Sequence, residues 1–394
     1  MSTMSITREK PVQAIRSESP STVKISRQGF LCMWHGLSFG GFLRMMKLKP
    51  DTGLRYSPRL LSIAASGVIN SVENGLESLL YGRRVAATKI EHPPIFILGH
   101  WRSGTTLLHN LLTLDSNVTF PNLYQCMFPG HFLLTEKVVA PMTRFILPKT
   151  RPMDNIATNW STPQEDEIAL ALDCGISPYL MLAFHNRRSV YERYFDPREM
   201  TPAEQETWKK SLLTLMKKLT IRSNRSIVMK SPSHTYRIPV LLEMFPDAKF
   251  VYIYRDPYAV YQSTMHLRRT MFTENALGPA QLETCSDDAL FFYEKCIRTY
   301  EATKSLIPEG NLSEMRFEDL EQDPLAGMEK TYSELNLPGW NEVEPKIRSE
   351  LAGLSSYKKN SFRMDRATME MLYDRLKWMF DLYGYPSRLE SSVA

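Results

Sequence analysis

Residues 93–112, PPIFILGHWRSGTTLLHNLL, are typical of a strand, a glycine-bearing loop and the start of a helix in direct succession. The unbroken apolar run Ile95–Leu98 is typical of a parallel strand that is buried on both faces. From Thr105 onward, leucines recur at helical spacing. A loop between such a strand and a helix directs free backbone N–H groups and the positive end of the helix dipole at its ligand, so this stretch predicts an anion site.

The spacing from Gly99 to Gly104 matches the glycine frame of the nucleoside-triphosphate P-loop, but Thr105 follows where that motif carries lysine. In a triphosphate loop this lysine reaches the β- and γ-phosphates. The cation of the present loop lies earlier, at Arg102. The loop therefore disfavours ATP and GTP and favours a donor with one phosphate-like group at its end.

The composition limits the partners of the chain. Its 394 residues carry a net charge of +5 without any run of lysine and arginine, which excludes a nucleic-acid footprint and fits either an anionic small ligand or a slightly basic surface. Five scattered cysteines form no disulfide pattern and no Cys/His metal site. The N-terminus does not resemble a secretory signal, so we expect a cytoplasmic location.

The N-terminal part divides into two segments. Residues 1–28 are predicted to be a flexible arm, and residues 29–90 a helical region, packed on the catalytic domain, that ends near Gly82. Residues 29–43 are apolar and uncharged but shorter than the roughly 20 residues that span a bilayer. They predict a core or substrate-wall helix, with peripheral contact to a membrane as the alternative.

Short apolar strands alternate with helices after the loop. The strands are predicted at residues 226–229, 249–254 and 312–317, and each ends in polar residues. This alternation predicts an α/β protein with three layers, α/β/α, around a central parallel sheet, similar to P-loop NTPases and extended by an N-terminal helical cap. The functional site is then expected at the carboxyl edge of the sheet.

Residues 115–163 have no regular period and are rich in aromatic residues and methionine, which indicates either the lining of an acceptor pocket or plain core packing. The next helix has a strong start signal. Thr162 is predicted as its N-cap, Pro163 as its first residue and Glu165 as the partner in a capping box. Glu165 and Glu167 can therefore be capping residues or functional carboxylates.

Cations follow three of the predicted strands: Arg102 with neighbouring hydroxyls, Lys230, and Arg255 with Ser263. Two separated cationic clusters suit a ligand with two separated anionic groups. A nucleotide with a 5′-phosphosulfate and a 3′-phosphate fits this arrangement better than ATP, whose phosphates form one continuous chain.

The chain resembles the sulfotransferases that use 3′-phosphoadenosine 5′-phosphosulfate (PAPS). The matching segments are GHWRSGTTLLHN, FVYIYRDPYAVYQSTMHLRR, LSEMRFEDL with the DP that follows, and SSYKKN. The pattern is closer to the bacterial, carbohydrate and protein branches than to the cytosolic drug-conjugating branch. The resemblance implies that residues 91–394 form a sulfotransferase domain. It would transfer a sulfuryl group to a hydroxyl, or less readily an amine, of a small-molecule, lipid or carbohydrate acceptor, with adenosine 3′,5′-bisphosphate as the product and without a metal.

The resemblance also implies roles for individual residues. Those that would hold the 5′-phosphosulfate are Arg102, Ser103, Gly104, Thr105 and Thr106. Those that would hold the 3′-phosphate are Arg255, Ser263 and a C-terminal loop with Tyr357, Lys358 and Lys359. Lys230 would stabilise the bridging oxygen and, with Arg102, the charge of the leaving phosphate. The cytosolic branch has lysine at the Arg102 position, so the charge is preserved.

The catalytic base is where the chain departs from the family pattern. The cytosolic branch has a histidine two residues after the lysine, and this chain has Pro232 there. Other branches use a glutamate between the phosphate loop and the lysine. Three candidates follow, with Glu165 preferred over Glu167 and His234.

Two other functions are compatible with the same residues. An ATP-dependent small-molecule kinase of P-loop type would need Mg²⁺, and the missing loop lysine disfavours it. A non-catalytic nucleotide-binding or membrane-associated protein would follow if the acids at 165–167 were capping residues alone.

Overall fold

The computed structural model describes residues 32–147, 158–279, 282, 284–353 and 364–389. A five-stranded sheet lies at its centre. The strands are β1 (Ile95–Leu98), β2 (Val118–Thr119), β3 (Ser226–Lys230), β4 (Lys249–Tyr254) and β5 (Leu312–Arg316). Their order is β2-β3-β1-β4-β5, and each neighbouring pair is parallel. The predicted parallel sheet is confirmed.

Helices cover the sheet on both faces. Those of the described residues are α1 (Phe39–Lys47), α2 (Ser57–Ala87), α3 (Thr105–Leu112), α4 (Leu123–Met127), α5 (Phe132–Thr143), α6 (Asp166–Asp173), α7 (Pro202–Arg222), α8 (Ile238–Met244), α9 (Pro257–Asn275), α10 (Cys285–Thr303), α11 (Phe317–Gln322), α12 (Pro324–Glu334), α13 (Trp340–Gly353) and α14 (Arg366–Tyr383). Short 3₁₀ turns connect several of them.

The central strand β1 explains the three layers. Its four residues are all buried. Phe96 and Leu98 belong to a core that includes residues of α6 and α7, whereas Ile95 and Ile97 belong to a second core that includes residues of α3, α12 and α13. Side chains of a strand alternate between its faces, so one apolar run contributes to both cores. The three-layer α/β/α class is therefore confirmed. The two-residue strand β2 has no apolar run of its own and was not predicted.

The described part of the N-terminal region packs on the rest of the chain. Residues Cys32–Leu37 are buried, and the Trp34 indole donates to the backbone carbonyl of Asn275 at 2.7 Å. The Asn70 side chain of α2 donates to the carbonyls of His35 and Leu37, each at 2.8 Å. The predicted core location therefore holds for this part of residues 29–43. The predicted arm, residues 1–28, lies outside the described residues.

The predicted end of the N-terminal helical region at Gly82 is wrong. Helix α2 continues through Gly82 and ends at Ala87, where the backbone N–H and the hydroxyl of Thr88 both donate to the carbonyl of Arg84. A glycine inside a helix costs only about 1 kcal/mol relative to alanine, which does not end a helix of this length. Within the described ranges, no helix is both long and apolar enough to span a bilayer.

The five cysteines are free, and Cys174 alone among them is partly exposed. Burial raises the pKa of the Cys174 and Cys296 thiols to about 12, because a thiolate would lose its hydration there. These two thiols are therefore neutral at physiological pH and unsuited to act as nucleophiles.

Candidate active site

Two glycines give the loop after β1 its shape. Gly99 has φ +141°, and a Cβ there would lie 2.5 Å from the carbonyl oxygen of Ile253. Gly104 has φ +108°, and a Cβ there would overlap the ring of Phe317. Both positions therefore need glycine, for their backbone angles and for lack of space. Gly104 is followed directly by the N-terminus of α3, where backbone N–H groups have no partner within the helix.

Hydroxyl groups hold this loop in place. The Thr235 hydroxyl accepts from the N–H of Gly99 at 2.8 Å and donates to its carbonyl at 3.2 Å. The Ser103 hydroxyl donates to the carbonyl of His100 at 2.8 Å. Ser103 and Thr105 are buried, whereas Thr106 is half-buried. Of the predicted loop hydroxyls, that of Ser103 thus stabilises the loop itself.

Arg102 connects the two cationic clusters that the sequence suggested as separate. It has φ +70°, an uncommon value for a residue with a side chain. Its Nε donates to the Ser263 hydroxyl at 2.6 Å, and its carbonyl accepts from the Arg255 guanidinium at 3.2 Å. Burial and the nearby charge of Arg102 lower the pKa of Arg255. The residues predicted for the two anionic groups therefore lie side by side at the carboxyl ends of β1 and β4.

Three consecutive acids at the start of α6 pair with the lysine that ends β3 and with a histidine and an arginine that follow this strand. The pairs are Glu165 with Lys230 (Oε1 to Nζ, 2.7 Å), Asp166 with His234 (Oδ2 to Nε2, 2.7 Å) and Glu167 with Arg237 (Oε2 to Nη1, 2.5 Å). The second and third pairs are fully buried, whereas the side chain of Glu165 is 18% exposed. These pairs attach α6 to the carboxyl edge of the sheet.

The three candidate bases differ in their burial and in their hydrogen-bond partners. Glu167 accepts hydrogen bonds from Arg237 and from the Ser233 hydroxyl in the interior. His234 is enclosed and bonded to Asp166. Burial alone would raise the pKa of Asp166, but the hydrogen-bonded His234 and other neighbours hold it below its usual value. Of the three candidates, Glu165 is the one that meets the solvent-accessible side of the sheet edge.

The predicted capping box at Thr162 is wrong. Helix α6 begins at Asp166, Glu165 occupies the N-cap position, and its carboxylate makes no capping hydrogen bond. The backbone before the helix is used elsewhere: the Thr162 carbonyl accepts from the N–H of Leu123 at 2.9 Å, and the N–H of Gln164 donates to the Pro121 carbonyl at 3.0 Å. The backbone of residues 160–164 therefore hydrogen-bonds to residues 121–124 instead of starting the helix, and the side chain of Glu165 is available for another role.

Tyr179 is a site residue that the sequence did not indicate. Its hydroxyl donates to Oε2 of Glu165 and accepts from the Trp101 indole N–H at 3.2 Å. Because Lys230 binds the other carboxylate oxygen, both oxygens of Glu165 are held. Tyr179 lies in an apolar segment, PYLML, that looks like ordinary core in the sequence. Only its contact with Glu165 distinguishes it.

Two predicted segments of the site fall outside the part of the chain that the structure describes. Tyr357, Lys358 and Lys359 lie outside the described residues. So do residues 148–157, which are part of the irregular stretch predicted to line an acceptor pocket. In the described part of that stretch, Trp160 packs edge-on against Tyr124 with ring centroids 5.4 Å apart.

The loop histidine His100 predicts a pH dependence of stability. It is 2% exposed, and burial lowers its pKa to about 3, against an ordinary value of 6.5. Between these values the unfolded chain binds a proton that the folded chain does not. The stability should therefore fall as the pH decreases below 6.5, with roughly 1.4 kcal/mol per pH unit due to this residue. Urea unfolding from pH 7 to pH 5 measures this slope.

The variant His100→Gln should show a shallower slope than the wild type in the same urea series. His92→Gln, at an exposed histidine, is the matched control and should retain the wild-type slope. Equal slopes for His100→Gln and the wild type would contradict this account of His100.

Comparisons with known proteins show what the chain as a whole is similar to. A family model described as "Sulfotransferase family" matches residues 93–342. The chain is 35% identical over 390 residues to omega-hydroxy-beta-dihydromenaquinone-9 sulfotransferase Stf3 of Mycobacterium bovis, and the alignment covers 97% of this chain and 100% of the relative. Stf3 of Mycobacterium tuberculosis gives the same values.

Two solved structures share the fold. Sulfotransferase STF9 from Mycobacterium avium has a TM-score of 0.66 at 19% identity, over 89% of this chain and 91% of that one. Sulfotransferase STF1 from Mycobacterium tuberculosis has a TM-score of 0.55 at 15% identity, over 88% and 93%. At these identities the likeness concerns the fold alone.

Proposed function

The chain belongs to the sulfotransferase family, and from this premise we propose that it transfers a sulfuryl group from PAPS to the hydroxyl of an acceptor. The observation that carries the proposal is the contact of 2.7 Å between Glu165 and Lys230 at the sheet edge that also holds Arg102. A base and two cations are thereby grouped where a donor phosphate would meet an acceptor.

The residues of the loop after β1 fit the 5′-phosphosulfate of the donor. The N-terminus of α3 supplies backbone N–H groups and a favourable dipole for an anion. Gly104 leaves room for the turn against Phe317. Thr105 in place of the P-loop lysine disfavours a triphosphate. We assign Arg102, Ser103, Gly104, Thr105 and Thr106 to this part of the donor.

The 3′-phosphate would lie on the β4 side of the loop. Arg255 and Ser263 both contact Arg102, so a second anionic group of the donor would meet cations on two sides. The charge of Arg102 contributes to lowering the pKa of Arg255, and a bound phosphate would relieve this repulsion. We assign Tyr357, Lys358 and Lys359 to the same phosphate, as the family resemblance implies.

The proposed reaction is one in-line displacement. Glu165 takes the proton of the acceptor hydroxyl, whose oxygen forms a bond to sulfur while the bond from sulfur to the 5′-phosphate oxygen breaks. The electron pair of that bond stays on adenosine 3′,5′-bisphosphate, where Lys230 and Arg102 offset the new negative charge. Tyr179 orients the carboxylate. A positioned base of this kind contributes about 10²–10⁴ to the rate.

We propose an apolar or amphipathic alcohol as the acceptor, with lipids included. The two Stf3 relatives, which align with nearly the whole chain, are named as sulfotransferases of a hydroxylated dihydromenaquinone. The aromatic side chains of Trp101 and Tyr179 beside Glu165 suit an apolar molecule better than a sugar. The free cysteines fit a reducing compartment, so we place the reaction in the cytoplasm or at a membrane surface that faces it.

A transfer assay with ³⁵S-labelled PAPS tests this function. Geranylgeraniol serves as an apolar alcohol, geranylgeranyl methyl ether as its blocked analogue, and glucose as a polar alcohol. Of these three molecules, we expect only geranylgeraniol, the free apolar alcohol, to carry the label into the organic phase. Phosphorylation of the alcohol by Mg-ATP, with no transfer from PAPS, would instead favour the kinase.

Lys230→Ala should reduce turnover far more than nucleotide affinity. The loss of one preorganised donor to a developing charge typically costs about 10²–10³ in turnover, and we expect less than about tenfold in bisphosphate affinity. Steady-state kinetics and calorimetry measure the two effects. Lys295→Ala is the matched control, because Lys295 forms a surface ion pair with Glu199 at 2.8 Å. A loss confined to affinity would contradict the role of Lys230.

A further inference from the structure

Helix α2 presents an apolar surface on the side opposite to the one that packs on the protein. Its buried residues include Ile63, Gly67, Asn70 and Glu77. The exposed residues between positions 61 and 80 are Leu61, Ala65, Val68, Ile69, Val72, Gly75, Leu76, Ser78, Leu79 and Leu80. We call them the α2 stripe. At 1.5 Å per residue the stripe is about 29 Å long, and the side chain of Leu79 is 81% exposed.

No charge interrupts the α2 stripe. The acids in this part of α2 are Glu73 and Glu77, and neither belongs to the stripe: Glu77 is buried, and Glu73 is half-buried with 29% of its side chain exposed. Glu77 pairs with Lys218 at 2.6 Å, and Glu73 contacts His131 at 3.2 Å. The outer face of a helix on a monomeric soluble protein usually carries charged residues. An uncharged apolar face of this length therefore indicates an interaction surface.

Two neighbouring helices extend this surface on opposite sides of α2. Helix α1 contacts one side, where the N–H of Phe39 donates to the Ser71 hydroxyl at 2.9 Å. Helix α5 contacts the other side, where the N–H of Leu134 donates to Glu77 at 3.0 Å. Both carry exposed apolar side chains of their own, namely Phe39, Leu43, Val138 and Met142, and Phe145 follows α5.

The charged residues in the segments that adjoin the surface along the chain are mainly cations. The exposed ones in residues 39–60, 81–92 and 132–147 are Arg44, Lys47, Lys49, Arg55, Arg83, Arg84, Lys89, Lys137 and Arg144. The exposed acids of the same ranges are Asp51 and Glu91. An apolar face with a basic surround is complementary to a layer of anionic headgroups above hydrocarbon.

We propose that the α2 stripe docks on the surface of an anionic lipid bilayer. The apolar side chains would enter the headgroup region, and each nearby lysine or arginine would add about 1 kcal/mol of attraction. A second copy of the chain fits less well, because two copies packed face to face would bring like-charged surrounds together. The proposal goes beyond sulfuryl transfer and does not depend on it.

Helix α5 connects the surface to the segment that precedes α6. The Thr143 hydroxyl near the exposed end of α5 accepts from the Trp160 indole at 3.0 Å. Trp160 lies five residues before Glu165 in the chain. Docking would thus bring the segment before Glu165 toward the lipid. Within residues 29–43, Cys32–Leu37 are buried, so the docking residues lie mainly in α2 rather than there.

Cosedimentation with vesicles, without nucleotide or acceptor, tests the docking of the full chain. We expect binding to vesicles of phosphatidylglycerol and phosphatidylcholine, and weaker binding to phosphatidylcholine alone. The double variant Val72→Glu with Leu79→Glu should bind at least about tenfold more weakly. Leu306→Glu is the matched control, because Leu306 is 55% exposed but lies outside the surface. Because Val72, Leu79 and Leu306 are exposed, these substitutions should leave the melting temperature nearly unchanged.

Three results would overturn the proposal: wild-type protein that does not bind the anionic vesicles, a double variant that binds like the wild type, and a dimer in light scattering that the double variant dissociates. The last result would assign the surface to a second copy. Because the assay contains no donor, vesicle binding can fail while transfer persists, and transfer can fail while vesicle binding persists.

Discussion

Glu165→Gln is expected to lower turnover by about 10²–10⁴-fold without weakening the binding of adenosine 3′,5′-bisphosphate. The amide keeps the size of the side chain and can still accept a hydrogen bond from Tyr179, but it cannot take a proton from the acceptor. Lys230 loses its counter-ion at 2.7 Å, and its charge becomes fully available to the donor phosphate. Affinity for the bisphosphate should therefore be retained or increase.

The same variant should lose less stability than a variant of a fully buried ion pair, although Lys230, whose side chain is 2% exposed, loses its counter-ion. The Glu165 side chain is partly exposed and makes no capping hydrogen bond, so α6 does not depend on it. Steady-state kinetics measures the turnover, calorimetry the affinity for the bisphosphate, and thermal melts the stability. Glu199→Gln, at the surface pair with Lys295, is the control and should be active. Turnover of Glu165→Gln close to that of the wild type would exclude Glu165 as the base.

Glu167→Gln should have the opposite effect, a loss of stability of about 3–5 kcal/mol, because it would leave a buried cation without its counter-ion. Glu167 binds the Arg237 guanidinium at 2.5 and 3.2 Å, and both side chains are 0% exposed. The guanidinium also lies 4.7 Å from the ring centroid of Trp208, in the core beside α7. Arg237 cannot reach water in this position.

Urea unfolding at pH 7 measures the effect of Glu167→Gln. Glu243→Gln is the control, because Glu243 pairs with Lys209 at the surface and its side chain is 66% exposed, so the expected loss is below about 1 kcal/mol. Turnover per folded molecule should stay near the wild-type value. A Glu167→Gln protein that is as stable as the wild type and inactive would make Glu167 the base instead of Glu165.

The sheet and its loop could be predicted from the sequence because their signals are local. The run Ile95–Leu98 must be buried on both faces, and Gly99 and Gly104 occupy positions where a side chain has no room. The prediction at Thr162 failed although its local signal was strong. The backbone there hydrogen-bonds to residues 121–124, about 40 residues away, and this pairing outweighs the capping preference.

The ion pairs between the start of α6 and residues 230–237 could not be predicted in the same way. In the sequence, Glu165 and Glu167 are two neighbouring acids at a helix start. The fold gives them different environments, because the side chain of Glu165 stays 18% exposed where it meets Lys230, whereas Glu167 and its partner Arg237 are both 0% exposed. The role of Tyr179 likewise follows from a contact that only the folded chain makes.

The most direct test of the proposed function is a calorimetric titration of the full chain with adenosine 3′,5′-bisphosphate and, separately, with Mg-ATP. The account predicts tight binding of the bisphosphate that does not need a metal, and weak binding of ATP, because Thr105 replaces the lysine that a triphosphate requires. Tight binding of Mg-ATP with no response to the bisphosphate would contradict it and would favour the kinase instead.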